Sequence, residues 1–241
     1  MPPPTSIEIE NGIRGAIYGE LAWVLRYPRT PPGLGVLVSV ELEDPELEAG
    51  RASVVEARPA DTAALQRAHT RLFPPVESRD CPSYETAYRG RDIFQQSHVM
   101  ADVAAFYRAH GLQLGGLQRE RPDAIGPELE FMGFLSWKEA AALSRGDDEM
   151  VETCRRAQRL FLGDHLGCWG PEYGRRVAVV AGHSFYQALG ALIAAWLEAD
   201  MSRLGVLPGV ATSLPMPLPV AIDASAACGC GDDCECRGSG A

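Results

Sequence analysis

The chain is 241 residues long and 46% hydrophobic, enough for one domain with a sizeable buried core. Its formal charge of −10 repels an approaching phosphate backbone on average, which argues against nucleic acid as a partner and mildly favours a basic peptide. Four of the seven cysteines crowd between Cys228 and Cys236, unlike a secreted disulfide framework, and fit reduced thiols in a cytosol.

The start, Met1-Pro2-Pro3-Pro4 followed by Glu8 and Glu10, has neither the basic region nor the apolar run of a secretory signal. The most apolar stretch, Ala188 to Leu197, is about half the length a bilayer requires and reads as a core helix. A cytoplasmic protein without membrane insertion is expected.

In chain order, Ile13, Ile17, Leu21, Val24 and Leu25 recur at three- and four-residue steps, predicting a helix from Ile13 to Tyr27 with Asn11 as N-cap and Pro28 beyond its end. Between Pro31 and Pro59 the pattern is weak, and Gly35 to Val40, strand-like by propensity but without a partner strand, reads as loop or short helix. A second helix begins near Asp61 and runs through Leu72. A third spans Asp92 to His110, with Gly111 placed for a left-handed C-terminal cap. Gly126-Pro127-Glu128 opens a helix reaching Leu143, with Pro127 at its first position. Asp147, Asp148 and Glu149 open another through His165, and Gly170-Pro171-Glu172 opens a short one. Phe185 to Leu197 carries the clearest amphipathic pattern. Six or seven helices without a sheet predict an all-α single-domain bundle over residues 1–204. A Pro-rich linker and Cys-rich mobile tail are expected over 205–241.

No phosphate loop, hydrolase elbow or HExxH motif occurs, and the histidines at 69, 98, 110, 165 and 183 are scattered, so no catalytic residues are predicted. His165 by itself reads as a hydrogen-bonded helix histidine. Cys228, Cys230, Cys234 and Cys236 form a CxCxxxCxC cluster able to hold zinc or copper(I), and a soft-metal-binding or metal-delivery protein is the alternative reading. Two passages, Cys81 to Tyr88 and Arg121 to Met132, set carboxylates beside aromatic and apolar residues where loops enter helices. Tyr84, Glu85 and Tyr88 in the first, with Pro122, Asp123, Ile125, Glu128, Phe131 and Met132 in the second, could accept a peptide carrying arginines and an apolar run. Composition alone favours the other reading, in which Glu85 and Glu128 cap helices and the aromatics form core.

At these residues the sequence resembles the TorD/DmsD/NarJ family of redox-enzyme maturation chaperones, over roughly Gly15 to Leu204. The resemblance is carried by Ile17-Tyr18 through Arg26-Tyr27-Pro28, Thr70-Arg71-Leu72-Phe73, Pro82 to Glu85, Phe106 to Leu112 and Asp123 to Met132, and by Phe161, His165, Trp169 and Pro171. It departs at Ala124, where the family usually has histidine after the aspartate. Cys81 to Tyr88, Phe94-Gln95-Gln96 and Ala101 to Tyr107 look most like chaperones of the dimethyl sulfide, selenate, chlorate or ethylbenzene dehydrogenase group. The resemblance implies an all-α fold without catalysis, and binding of the twin-arginine signal peptide or apo catalytic subunit of a molybdoenzyme, with His165 and Trp169 added to the client-binding set. It further implies help with molybdenum cofactor insertion before export, no cofactor required by the chaperone, and a monomer or a homodimer, the latter able to exchange helices about Gly115-Gly116 or Gly146.

Overall fold

The computed structural model describes residues 5–74, 78, 80–89, 93–113, 115 and 120–207. Among the described residues the chain forms α-helices and no β-strand: α1 Ser6–Val24, α2 Gly35–Ser39, α3 Pro45–Glu56, α4 Thr62–Leu72, α5 Glu85–Arg89, α6 Ile93–Ala109, α7 Ile125–Leu143, α8 Asp148–Phe161, α9 Gly167–Val180 and α10 Ser184–Leu204. A π-helical turn, Leu162–Leu166, joins α8 to α9.

The first helix starts earlier than its apolar spacing indicates. Thr5 caps it, its hydroxyl accepting from the Glu8 amide while the Glu8 carboxylate answers the Thr5 amide. Asn11 is therefore not the cap. It is buried inside α1 and accepts from Arg14 Nη1 at 2.8 Å. Helices begin near Asp61 and at the acidic run from Asp147, as expected, and the structure makes both aspartates N-caps; Gly111 takes φ +78° beyond α6. Pro127 is the third residue of α7, not the first, because Ala124 is the extended residue that caps it.

The weakly patterned stretch holds two helices. The strand-like run forms the short α2, and α3 follows behind an Asp44 cap with Pro45 at its first position. Only Leu47 and Val54 of α3 are buried, so it has little apolar stripe to betray it.

The bundle is built on close helix pairs: α1 lies along α7, α9 along α10, and α3 packs on α10. Glycines permit the approach. A Cβ on Gly133 would stand 3.0 Å from the Gly15 carbonyl, and one on Gly174 would stand 2.6 Å from the Gly190 carbonyl. The π turn runs α8 directly into α9, so Pro171 lies inside a continuing helix and does not open one. Gly167 follows the turn because a Cβ there would meet the Leu162 carbonyl at 2.4 Å and Met201 Sδ at 2.5 Å.

A buried polar chain ties first helix to last. Arg14 grips Asp200 through Nε (2.8 Å) and Nη2 (2.7 Å), Tyr18 donates to Asp200 Oδ2 (2.8 Å), and Arg14 Nη2 reaches Gln158 (3.0 Å). Gln158 donates to Glu139, which also receives Arg155. Burial would push the Asp200 carboxyl up, but the Arg14 guanidinium outweighs it and holds the group below its ordinary value. No described helix is long and apolar enough to cross a membrane.

Candidate functional site

The two passages singled out in the sequence meet. Residues 83–85 and 123–125 pair as an antiparallel bridge centred on Tyr84 and Ala124, with the Glu85 amide donating to the Asp123 carbonyl (2.8 Å) and the Ile125 amide to the Ser83 carbonyl (3.0 Å). Each strand-like passage then turns into a helix, α5 or α7.

Asp123 secures that junction from within. Its side chain accepts from the Thr86 amide (3.2 Å) and hydroxyl (2.7 Å), so it caps α5 from across the bridge. Arg121 binds the same carboxylate through Nε (2.9 Å) and Nη2 (2.8 Å), and its guanidinium lies 4.3 Å from the centre of the Tyr84 ring. Tyr107 fastens the passage at the Pro122 carbonyl (2.8 Å), and Tyr88 donates to the Pro82 carbonyl (2.9 Å).

Behind the bridge is a second buried group. Glu85 receives Arg89 at 2.5 Å and stands 3.0 Å from His165 Nδ1, while His165 Nε2 is 3.4 Å from Asp102 without forming an aligned hydrogen bond. Arg89 also donates to the Asp164 carbonyl in the π turn, which ties α5 to that turn. Glu128 accepts from Trp169 Nε1 at 3.0 Å, and its other oxygen has no hydrogen-bond partner among the described residues. Burial first, and then the Glu85 charge, push the Glu128 carboxyl well above its ordinary range. Phe131 packs edge-on against Tyr107 and Phe161, and Met132 lies in the same core.

In front of the bridge lies a half-open cleft of about 900 Å³, lined by Tyr84, Ala124 and Ile125, by the end of α1 with the loop after it, by one face of α4, and by Tyr173 and Phe185. At its rim Trp23 is 62% exposed and Tyr27 53% exposed. Arg26, stacked 5.1 Å over Trp23, pairs with Glu130. His69 lines the same cleft.

The predicted client-binding residues thus divide by depth. Tyr84 and Ile125 line the cleft, and Tyr88 and Pro122 are half-buried. Glu85, Asp123, Glu128, Phe131, Met132, His165 and Trp169 are enclosed and brace the bridge from behind, as helix-capping and core residues do. Trp23, Arg26, Tyr27, His69, Glu120 and Glu130 were not singled out as site residues, and they also line the cleft. The cysteine cluster from Cys228 to Cys236 lies outside the described residues, as does Gly116. Among the described residues no group of three potential ligands could hold a metal ion.

A helical bundle with a recessed, aromatic-rimmed cleft braced by a buried polar junction is the class that fold and site define. The chain belongs to the family described as nitrate reductase delta subunit, whose model matches residues 41–173. It is 39% identical over 107 residues to the selenate reductase assembly chaperone protein of Thauera selenatis, covering 44% of this chain and 53% of that one. It is 34% identical over 120 residues to the chlorate reductase assembly chaperone protein of Ideonella dechloratans, covering 50% and 58%. With the chaperone protein TorD of Photobacterium profundum it shares 26% identity over 174 residues, 71% of this chain and 78% of that one. The matches span about half the length of the selenate and chlorate relatives. All three relatives are named as chaperones.

Proposed function

We propose that this chain is a system-specific assembly chaperone for the catalytic subunit of a molybdoenzyme, acting by binding and not by catalysis. Its cleft takes an extended segment of the immature subunit, the twin-arginine signal peptide being the segment that best suits it, and holds the subunit until its molybdenum cofactor is inserted and export can follow. The observation that carries this reading is the 900 Å³ cleft whose rim exposes Trp23 and Tyr27 beside the paired Arg26 and Glu130. Aromatic walls accept apolar side chains and stack on guanidinium groups, while rim carboxylates orient a cation. The names of the relatives support the same reading.

Calorimetric titration of the full chain with a synthetic peptide bearing two adjacent arginines and an apolar run, and with the apo catalytic subunit, tests it. Saturable binding of either is expected, and Tyr84→Ala should weaken it by about 1–3 kcal/mol if the ring is a central contact. Failure of both ligands to bind overturns the assignment.

A further inference from the structure

We propose that Arg26 is a built-in occupant of a guanidinium subsite in the cleft, and that an arginine of the bound segment exchanges with it on Glu130 and Glu120. This rests on the function proposed above and concerns how the cleft selects its ligand.

Three observations converge. Arg26 leaves α1 on the connecting loop, lays its guanidinium 5.1 Å over the Trp23 ring and gives Nη2 to Glu130 of α7. The cleft rim therefore already displays a guanidinium held between an indole face and a carboxylate. Both partners of that pair are about half exposed, 52% and 46%, and an exposed pair contributes little to stability, so its exchange for another cation costs little.

Glu120 stands at the same rim, its Oε1 3.6 Å from where a Cβ on Gly126 would lie, against the first turn of α7. Although the residue as a whole is exposed, the crowded rim desolvates its carboxyl, and that burial and the Glu130 charge push it up while Arg26 pulls it down. Two carboxylates thus share the field of Arg26, and a guanidinium in its place would meet the same pair of charges.

His69 adds an unsatisfied polar atom in the wall of the cleft. It lines the cleft at 7% exposure, with Nε2 3.0 Å from the Leu25 carbonyl and Nδ1 without a partner among the described residues. A carbonyl can only accept, so Nε2 carries hydrogen. Burial holds the imidazole below its ordinary value, which keeps the ring neutral and leaves Nδ1 a bare acceptor. That acceptor has essentially no exposed surface, so an N–H of a bound segment reaches it only when the neighbouring rings of Tyr27, Phe73 or Tyr186 move aside.

The test compares two peptides on the full chain by fluorescence anisotropy: one with two adjacent arginines before an apolar run, and a twin with citrulline at both positions. Wild-type protein should prefer the arginine peptide, and Glu130→Gln should weaken that peptide by about tenfold, the value of a charge-assisted hydrogen bond. Arg26→Gln should bind the arginine peptide roughly two- to fivefold more tightly, by removing an exposed competing pair, and leave the citrulline peptide unchanged. Equal affinity of wild type and Arg26→Gln for the arginine peptide overturns the exchange while leaving the chaperone reading intact. Absence of binding by both peptides and by the apo subunit removes the reading and the inference together. Thermal melts of both variants check that they are folded.

Discussion

At the scale of single residues, the buried acids behind the bridge have different jobs set by their neighbours. Asp123 answers Arg121 and the start of α5, so it is a structural anion whose loss strands several donors. Asp123→Ala should cost about 1–3 kcal/mol in urea unfolding, and the Glu85 and Ile125 amides should exchange hydrogen faster as the bridge loosens. Glu128 is the opposite case. It faces the Glu85 and Asp123 charges with Arg89 as the opposing cation, and its folded value lies well above the ordinary 4.5. The folded state therefore holds the Glu128 proton more tightly than the unfolded chain does. This contribution to stability is complete below the unfolded value and is lost as pH rises through the folded one, with a slope of up to about 1.4 kcal/mol per pH unit. Glu128→Gln keeps an oxygen for Trp169 and has nothing to ionise. Denaturation from about pH 5 to 9 should show a flatter profile for the variant than for wild type, with the variant gaining relative to wild type towards alkaline pH. Parallel profiles would mean that Glu128 ionises normally in the folded protein.

At the scale of helices, the pairs α1 with α7 and α9 with α10 depend on backbones that nearly touch. A methyl group at Gly190 would meet the Ala178 amide and the Gly174 carbonyl, both at 2.6 Å, and these are backbone atoms that cannot turn aside. Gly190→Ala should therefore cost about 1–3 kcal/mol by overpacking, despite the better helix propensity of alanine. Gly12→Ala is the control, since nothing lies within 4 Å of a Cβ there, and it should gain up to about 1 kcal/mol. Thermal melts of the two variants should move in opposite directions. Helices were legible in the sequence where they bury a stripe, as α7 and α10 do with Leu129, Met132 and Leu135 or with Leu189, Ile193 and Trp196. The helix α3 was not, because only two of its residues reach the core and its signals are confined to its Asp44-Pro45 start. The π turn was invisible for another reason: Phe161, His165 and Trp169 keep helix-like steps through it, and the constraint that marks it is the space at Gly167. The bridge was legible as two loop-to-helix passages, but not their pairing. The rest of the cleft could not be read, because Trp23, His69, Glu120 and Glu130 come from separated segments that share no period and meet only in the folded chain.

At the scale of the whole molecule, the pair Arg14 and Asp200 closes the bundle by joining α1 to α10, and Gln158 and Glu139 extend the tie to α8 and α7. Both members of the pair are almost fully enclosed. A buried pair of this kind gains little over apolar residues of the same volume, because desolvation offsets the attraction, yet removing one partner leaves a bare charge in the core. Asp200→Ala should thus cost about 3–5 kcal/mol, whereas Arg14→Met with Asp200→Leu should recover most of that loss. The same pair should contribute to the acid limit. Since the Asp200 carboxyl is held below its ordinary 3.8 in the folded chain, its contribution is present above that value and disappears as pH falls through the folded one. Wild type should lose stability along this lower window, and the double variant should lose less there. An acid titration followed by helical circular dichroism measures both. Identical acid limits in the two proteins would place the decisive protonation elsewhere, and an unrescued double variant would show that the pair fixes the register of α1 against α10 as well as joining them.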